Sequence, residues 1–228
     1  MRIVFWIAWF EEIRREALRW TLPPQRKIEM NQKLKEIAEV RAGFTVRKVS
    51  RNVRTLPYSV IQIRNVSEFG LLDLTEMAEM HLGEVPPRFF LSKGDVLFCA
   101  RGTRNHAAAC VVDVDRVVVG SQFFILRVAG QAVLPEYLAW YINQQPAQRY
   151  LNERTAGSHV RMILRDDLLD LPVAVPPLAV QRQILELRRL QVKEQSLLNQ
   201  LRQRRRDLLS ALCVEAAEKQ EHHCEGTK

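Results

Sequence analysis

The sequence predicts a mixed α/β (α+β) protein, a strand-rich lobe followed by a long C-terminal coiled-coil helix. Short apolar runs bounded by turn residues recur from Tyr58 to Val175, which is a strand pattern. Pro176-Pro177 stops the last of them. From Leu178 to Val214 there is no Gly or Pro, and apolar residues return at heptad spacing. The chain has 228 residues, 47% of them hydrophobic, enough for one sizeable core and an accessory element.

The elements follow in order. Residues 5–20 read as a helix broken by Pro23-Pro24. Leu34, Ile37 and Val40 fit a short docking turn ahead of Gly43, and Val46 and Val49 continue into a strand or loop. Tyr58 to Val66 alternates apolar and polar residues as a half-buried strand does. Ser92-Lys93-Gly94-Asp95 is a turn before the apolar strand Val96 to Ala100. Ala107 to Val112, Arg116 to Val119 and Phe123 to Val128 read as further strands. Leu134 to Ile142 opens a helix, with Pro135 in its first turn, and helical character resumes near Gln148 to Leu151. After the Gly157 turn, Val160 to Leu164 and Leu171 to Val175 are extended. The final helix places Ile184, Leu187, Leu198, Leu201, Leu208 and Leu212 on one seam, interrupted by Gln191, Glu194 and Arg205. That seam is the expected subunit interface.

The formal charge is +8, which favours an anionic partner. The excess is uneven: +3 over 1–33, +2 over 34–175, +6 over 182–206 and −3 over 207–228. Cys99, Cys110, Cys213 and Cys224 form no CxxC pair and read as reduced thiols of a cytoplasmic protein. Cys99, His106 and Cys110 read as small buried groups on or near strands rather than metal ligands. His222-His223-Cys224 is a tighter group of potential ligands, placed in a tail expected to be disordered. The apolar run Ile3 to Phe10 is too short to span a bilayer, and Glu11-Glu12 follow it. It reads as part of an appendage ahead of Met30.

No GxGxxG, P-loop, HExxH or GxSxG motif is present, nor an NPPY-type methyltransferase motif. Asp113 and Asp115 read as turn residues, with no downstream Glu-x-Lys to complete a nuclease site. A small metal-dependent nuclease with an unrecognised acidic site is the alternative reading. What recurs instead is basic runs without acids. Arg47, Lys48, Arg51, Arg54 and Arg64 lie in one, Arg101, Thr103, Arg104, Asn105 and His106 in a second, and Ser158, His159 and Arg161 in a third. Arg and Asn read guanine and adenine edges bidentately, whereas Lys, Ser, Thr and loop amides hold phosphates. Arg101 to His106 combines both kinds on one loop between two strands and is the foremost candidate for base contact.

A set of short motifs gives a family resemblance. They are Leu34-Lys35-Glu36-Ile37-Ala38-Glu39-Val40, Gly43-x-Thr45, Lys93-Gly94-Asp95-Val96-Leu97, Arg101-Gly102 and Leu134-Pro135-Glu136-Tyr137-Leu138. Gly157-Ser158, Leu171-Pro172-Val173-x-Val175-Pro176-Pro177-Leu178 and Gln181-x-Gln183-Ile184 complete it. In this order they resemble a specificity subunit of a type I restriction–modification system, or one half of one, over about residues 34–212. The resemblance implies a target-recognition domain over 34–175 and a conserved spacer helix over 176–214; the residues outside it read as a helical extension over 1–33 and a disordered tail over 215–228. It further implies a non-catalytic reader of double-stranded DNA. This reader directs methyltransferase (M) and restriction (R) subunits to a bipartite site. The chain itself is expected to bind no cofactor and no metal; S-adenosylmethionine, Mg and ATP belong to the partner subunits. The family usually carries two recognition domains and two antiparallel helices, against one of each here. A homodimer, or pairing with another specificity half-subunit, is therefore expected.

Overall fold

The computed structural model divides into two compact units, 1–31 and 32–228. It describes residues 31–45, 57–67, 70–102, 105–154 and 162–224, with side chains of the final helix to Glu215. The helix expected over 5–20 lies outside the described residues.

A four-stranded antiparallel sheet is the centre of the lobe. Its order is β2 (Ala38–Ala42), β8 (Phe123–Val128), β5 (Asp95–Cys99) and β6 (Ala107–Ala109). Both faces of β5 are covered, so its sequence is a continuous apolar run rather than an alternation. Val96 and Phe98 face a core shared with Val40, Leu126 and the helix α2 (Pro135–Ile142). Leu97 and Cys99 face a second core with Phe123 and Ile125. That core is closed by a three-stranded sheet of β4 (Ala78–Met80), β3 (Tyr58–Ile61) and β7 (Val117–Val119). The layers are therefore helix, sheet and sheet. The outer face of the smaller sheet carries Val60, Leu82, Val85 and Val118 under Phe44, Tyr58, Phe89 and Phe90.

Asp95 explains why Lys93-Gly94-Asp95 begins the central strand. Its side chain is almost fully buried and accepts two hydrogen bonds from Arg127, Nε and Nη2 each at 2.8 Å. It also accepts one from the Ser92 amide at 2.9 Å, which closes the turn. A buried carboxylate is tolerable only when so paired.

The connecting pieces are short. α1 (Leu34–Ile37) buries Leu34 and Ile37, as their spacing predicts. α3 (Gln145–Glu153) follows α2, and α4 (Arg165–Leu169) occupies a stretch the sequence left unassigned. β1 (Asn31–Lys33) and β9 (Pro172–Ala174) form a two-stranded ribbon. Lys33 and Lys35 both reach Asp170 at 3.0 Å and hold its carboxyl below the usual range.

α5 (Leu178–Cys224) runs for 47 residues, about 70 Å at 1.5 Å per residue. It continues ten residues past the expected boundary at 214, so the segment 215–224 is helix, not disordered tail. Good helix formers and the lack of any Gly or Pro from Leu178 to Cys224 sustain it. Part of its mooring to the lobe is polar. Gln181 is fully buried; its Oε1 accepts the Leu134 amide at 2.9 Å. Its Nε2 donates to the Ala132 and Pro176 carbonyls at 2.8 and 2.7 Å. Among the described residues no helix is long and apolar enough to cross a membrane.

Tyr137 is a second tie. Its hydroxyl donates to the Ala174 carbonyl at 2.8 Å, and burial pushes its pKa up to about 12. A folded-state pKa above the unfolded value of 10.0 gives stability that is complete below that value and lost as pH rises towards about 12. Chemical denaturation between pH 9 and 12 is expected to show this alkaline loss in the wild type and to lack it in Tyr137→Phe. Equal slopes in both proteins contradict the assignment.

Candidate nucleic-acid interface

Strand register brings described flanks of the basic segments together. Ala42 pairs with Phe124, Cys99 with Phe123, and Phe98 with Ala107. The last residues of β2 and β5 and the first of β6 and β8 thus share one end of the sheet. The parallel pairing of Ile61 with Val119 brings β3 and β7 to that end as well. Backbone bonds lace it together: Gly43 to the Phe123 carbonyl at 3.0 Å, Ala100 to the Gln122 carbonyl at 2.9 Å, and Ile163 to the Ala100 carbonyl at 3.0 Å. Gln122 Nε2 donates to the Ile61 carbonyl at 3.2 Å.

Gly43 is required here by close approach. A Cβ on it would lie 2.1 Å from the Gly120 carbonyl oxygen. Phe44 bridges Gly120, and from Thr45 the chain passes into residues 46–56.

Of the expected DNA-binding residues, Arg64 sits on an exposed 3-10 turn directly after β3. Arg101 is exposed and bridges Met162, so the described ends of the second and third basic segments lie side by side. Gly102 adopts φ 140°, a conformation that residues with a Cβ avoid. His106 is half-buried, and its carbonyl accepts the Cys99 amide at 2.8 Å. Arg47, Lys48, Arg51, Arg54, Thr103, Arg104, Ser158, His159 and Arg161 lie outside the described residues. Their described neighbours Thr45, Gly102, Asn105 and Met162 all stand at this end of the sheet.

Asn105 requires a correction. Its side chain is 3% exposed, and Nδ2 donates to the Cys99 carbonyl at 2.9 Å, while its own carbonyl accepts Gln148 Nε2 at 2.8 Å. It closes the loop that carries Arg101 instead of facing a ligand. A buried carbonyl at the strand end needs a donor, and this amide supplies it. Asn105→Ala is expected to destabilise the fold by about 1–3 kcal/mol. Arg101→Ala is expected to leave the melting temperature unchanged and to relax base preference, by roughly 1–3 kcal/mol for a bidentate contact. Melting curves and competition binding separate the two outcomes.

Cys99 and Cys110 are buried thiols whose pKa burial pushes up; they contact the Arg101 and Val112 carbonyls at 3.0 and 3.3 Å. A protonated, hydrogen-bonded thiol suits neither nucleophilic attack nor metal ligation. Asp113 and Asp115 lie in the connection between β6 and β7, with Asp113 paired to Lys93 at 2.9 Å. Among the described residues no group of three His, Cys, Asp or Glu side chains gathers.

On α5, Leu187, Leu198, Leu201, Leu208 and Leu212 are all exposed, between 41% and 69%. Leu190, Leu197 and Leu209 are exposed too and widen the stripe beyond the expected seam. Ile184 departs from that seam: with Leu185 it packs on the lobe's helix-side core. A cleft of about 620 Å³ opens between the lobe and α5. Leu71, Val111, Val112 and Trp140 line its apolar wall, and Arg182 and Arg188 stand on the helix side.

No protein-family model matches the chain, and a search of curated proteins found no match. Solved structures do match. The HsdS subunit from Thermoanaerobacter tengcongensis is 21% identical, with a TM-score of 0.50 over 81% of this chain and 46% of that one. A chain solved in work on the complex assembly and conformational transition of the type I R-M system is 16% identical. It too has a TM-score of 0.50, over 85% of this chain and 49% of that one. This chain spans about half the length of both. Its fold is that of the specificity subunits of type I restriction–modification systems.

Proposed function

We propose that the chain is the sequence-specific DNA-recognition subunit of a type I restriction–modification complex. The observation that supports this reading is the meeting of described flanks of the basic segments at one end of the sheet. Their described flanks at Thr45, Arg64, Arg101 and Met162 all stand there. Arg, Lys, Ser, Thr and His in segments flanked by a rigid sheet end suit phosphate contacts and base-edge reading. In this reading the chain does no chemistry. M subunits bring S-adenosylmethionine and methylate, the R subunit brings Mg and ATP, and the assembly works in the cytoplasm.

The helix sets the distance. Its exposed leucines ask for a partner, since an apolar stripe this long in water is an interface. The charge pattern favours a second α5 running antiparallel: residues 182–206 carry +6 and 207–228 carry −3, so opposite ends attract. Two lobes held this way read a bipartite site, palindromic when both copies are identical.

Fluorescence anisotropy with a labelled random-sequence duplex tests the DNA reading. Binding that weakens linearly on a log–log salt plot is expected, because each neutralised phosphate releases counterions. Absence of binding, or binding indifferent to salt, contradicts it.

A further inference from the structure

The leucine stripe of α5 contains two charges that their own helix does not pair. Glu194 and Arg205 share the seam with Leu187, Leu198, Leu201, Leu208 and Leu212, and both are exposed. Within one turn Glu194 has Leu190, Gln191, Leu197 and Leu198 as neighbours, and Arg205 has Leu201, Arg202, Leu208 and Leu209. Neither makes an ion pair among the described residues. Eleven residues separate them, about 16 Å along the helix, too far to meet each other. Arg189, off the seam, does find an acid on its own helix, Glu186 at 2.8 Å. Leu185 and Val192 line the cleft beside the lobe, and helical geometry puts Leu198 and Leu201 on roughly the opposite side of α5. The stripe is therefore open to a second helix.

A second copy of this chain fits it in one arrangement only. A charge desolvated against leucine with no partner is strongly destabilising. Parallel pairing in register sets Glu194 against Glu194 of the second copy and Arg205 against its Arg205. Antiparallel pairing differs. Arg205 lies in one seam row with Gln191, Leu198 and Leu212, and Glu194 lies in the other with Leu187, Leu201 and Leu208. An antiparallel pair sets one row against the other. One register puts Glu194 opposite the second copy's Arg205, and two-fold symmetry repeats the pair with the roles exchanged. The same register puts Leu198 opposite Leu201, Leu187 opposite Leu212, and Gln191 opposite Leu208. A slip of one heptad either way puts Glu194 and Arg205 each opposite a leucine. The favoured register is also centred within about two residues of the midpoint of α5, so the helices overlap along nearly their whole length.

Resting on the pairing reading above, we propose that Glu194 and Arg205 set the register of an antiparallel α5 homodimer, through two ion pairs related by the two-fold axis. Polar residues in an apolar seam cost stability and gain register. The register matters because it sets how far apart the lobes stand. It places the two starts of α5 about 65 Å apart along the rod. A slip of one heptad changes that by about 10 Å, or roughly three base pairs of duplex.

Sedimentation equilibrium of the full-length chain tests this with Glu194→Arg, Arg205→Glu and the double variant that exchanges the two charges. Thermal melting checks that each lobe stays folded. Each single variant sets like charges opposite one another at both sites, so its dimer is expected to weaken about 100-fold or more. The double variant restores opposite charges at both sites and is expected to pair within about tenfold of the wild type. Single variants that pair as tightly as the wild type overturn the proposal, and so does a double variant no tighter than the singles. A wild type that stays monomeric at the highest concentration reached overturns it together with the homodimer beneath it. A wild-type dimer with indifferent variants is a different failure: the pairing stands, in another register or orientation.

Discussion

Gln181→Ala is expected to lower the thermal midpoint by roughly 10 °C, the largest stability effect of any single substitution proposed here. The side chain is fully buried and makes three hydrogen bonds, to the Leu134 amide and to the Ala132 and Pro176 carbonyls. Alanine removes the hydrogen-bond partner of all three backbone groups, on the exposed Ala132 and the half-buried Leu134 and Pro176. Three lost hydrogen bonds at about 1 kcal/mol each give a total near 3 kcal/mol. In a chain of this size about 1 kcal/mol moves the midpoint by roughly 2–4 °C. The consequence for function is geometric. Leu134 precedes α2, and Pro176 precedes α5, so one amide joins the lobe's main helix to the start of the rod. Circular dichroism melts decide the matter: a shift below about 2 °C shows that the mooring is apolar, through Ile184 and Leu185, and that Gln181 is incidental.

The second large effect is on assembly. Leu198→Asp and Leu201→Asp together are expected to convert a dimer, or a complex with another half-subunit, to monomer while leaving the lobe's melting transition in place. These side chains are 41% and 64% exposed, so their replacement breaks nothing within the chain. Two aspartates in an apolar seam place like charges opposite one another across a symmetric interface and desolvate them. Light scattering reads the change directly. A wild type that is monomeric even with its methyltransferase partner, or a double variant that still pairs, contradicts the seam. Loss of the lobe's transition in the variant means instead that α5 packs on its own core.

Much of this was legible in the sequence, for physical reasons specific to each element. Val96 to Ala100 had to be an interior strand, since five successive buried residues without polar alternation fit only a strand covered on both faces. Phe123 to Val128 and the helix from Pro135 carried their periods openly, and Pro176-Pro177 marked where the rod begins. Other elements left no local trace. Ala78-Glu79-Met80 has no strand pattern; pairing with β3 alone makes it one. Arg165 to Leu169 is too short for a helical period to show.

The candidate site divides the same way. Composition marks basic stretches, but the register that carries their flanks to one end of the sheet is a property of tertiary pairing. Asn105 and Ile184 were misplaced for that reason. An Asn in a basic loop looks like a base reader until the buried Cys99 carbonyl claims its amide. An Ile at heptad spacing looks like seam until the lobe covers it.

The central claim is that the lobe reads one half-site while α5 fixes the distance to another. Mapping methylated adenines across a genome, after co-expression of this chain with its methyltransferase subunit, tests it most directly. Paired half-motifs, separated by a spacer of constant length and lost in the Leu198→Asp, Leu201→Asp double variant, are the predicted result. Methylation at short continuous motifs, or at sites with no fixed spacing, contradicts it.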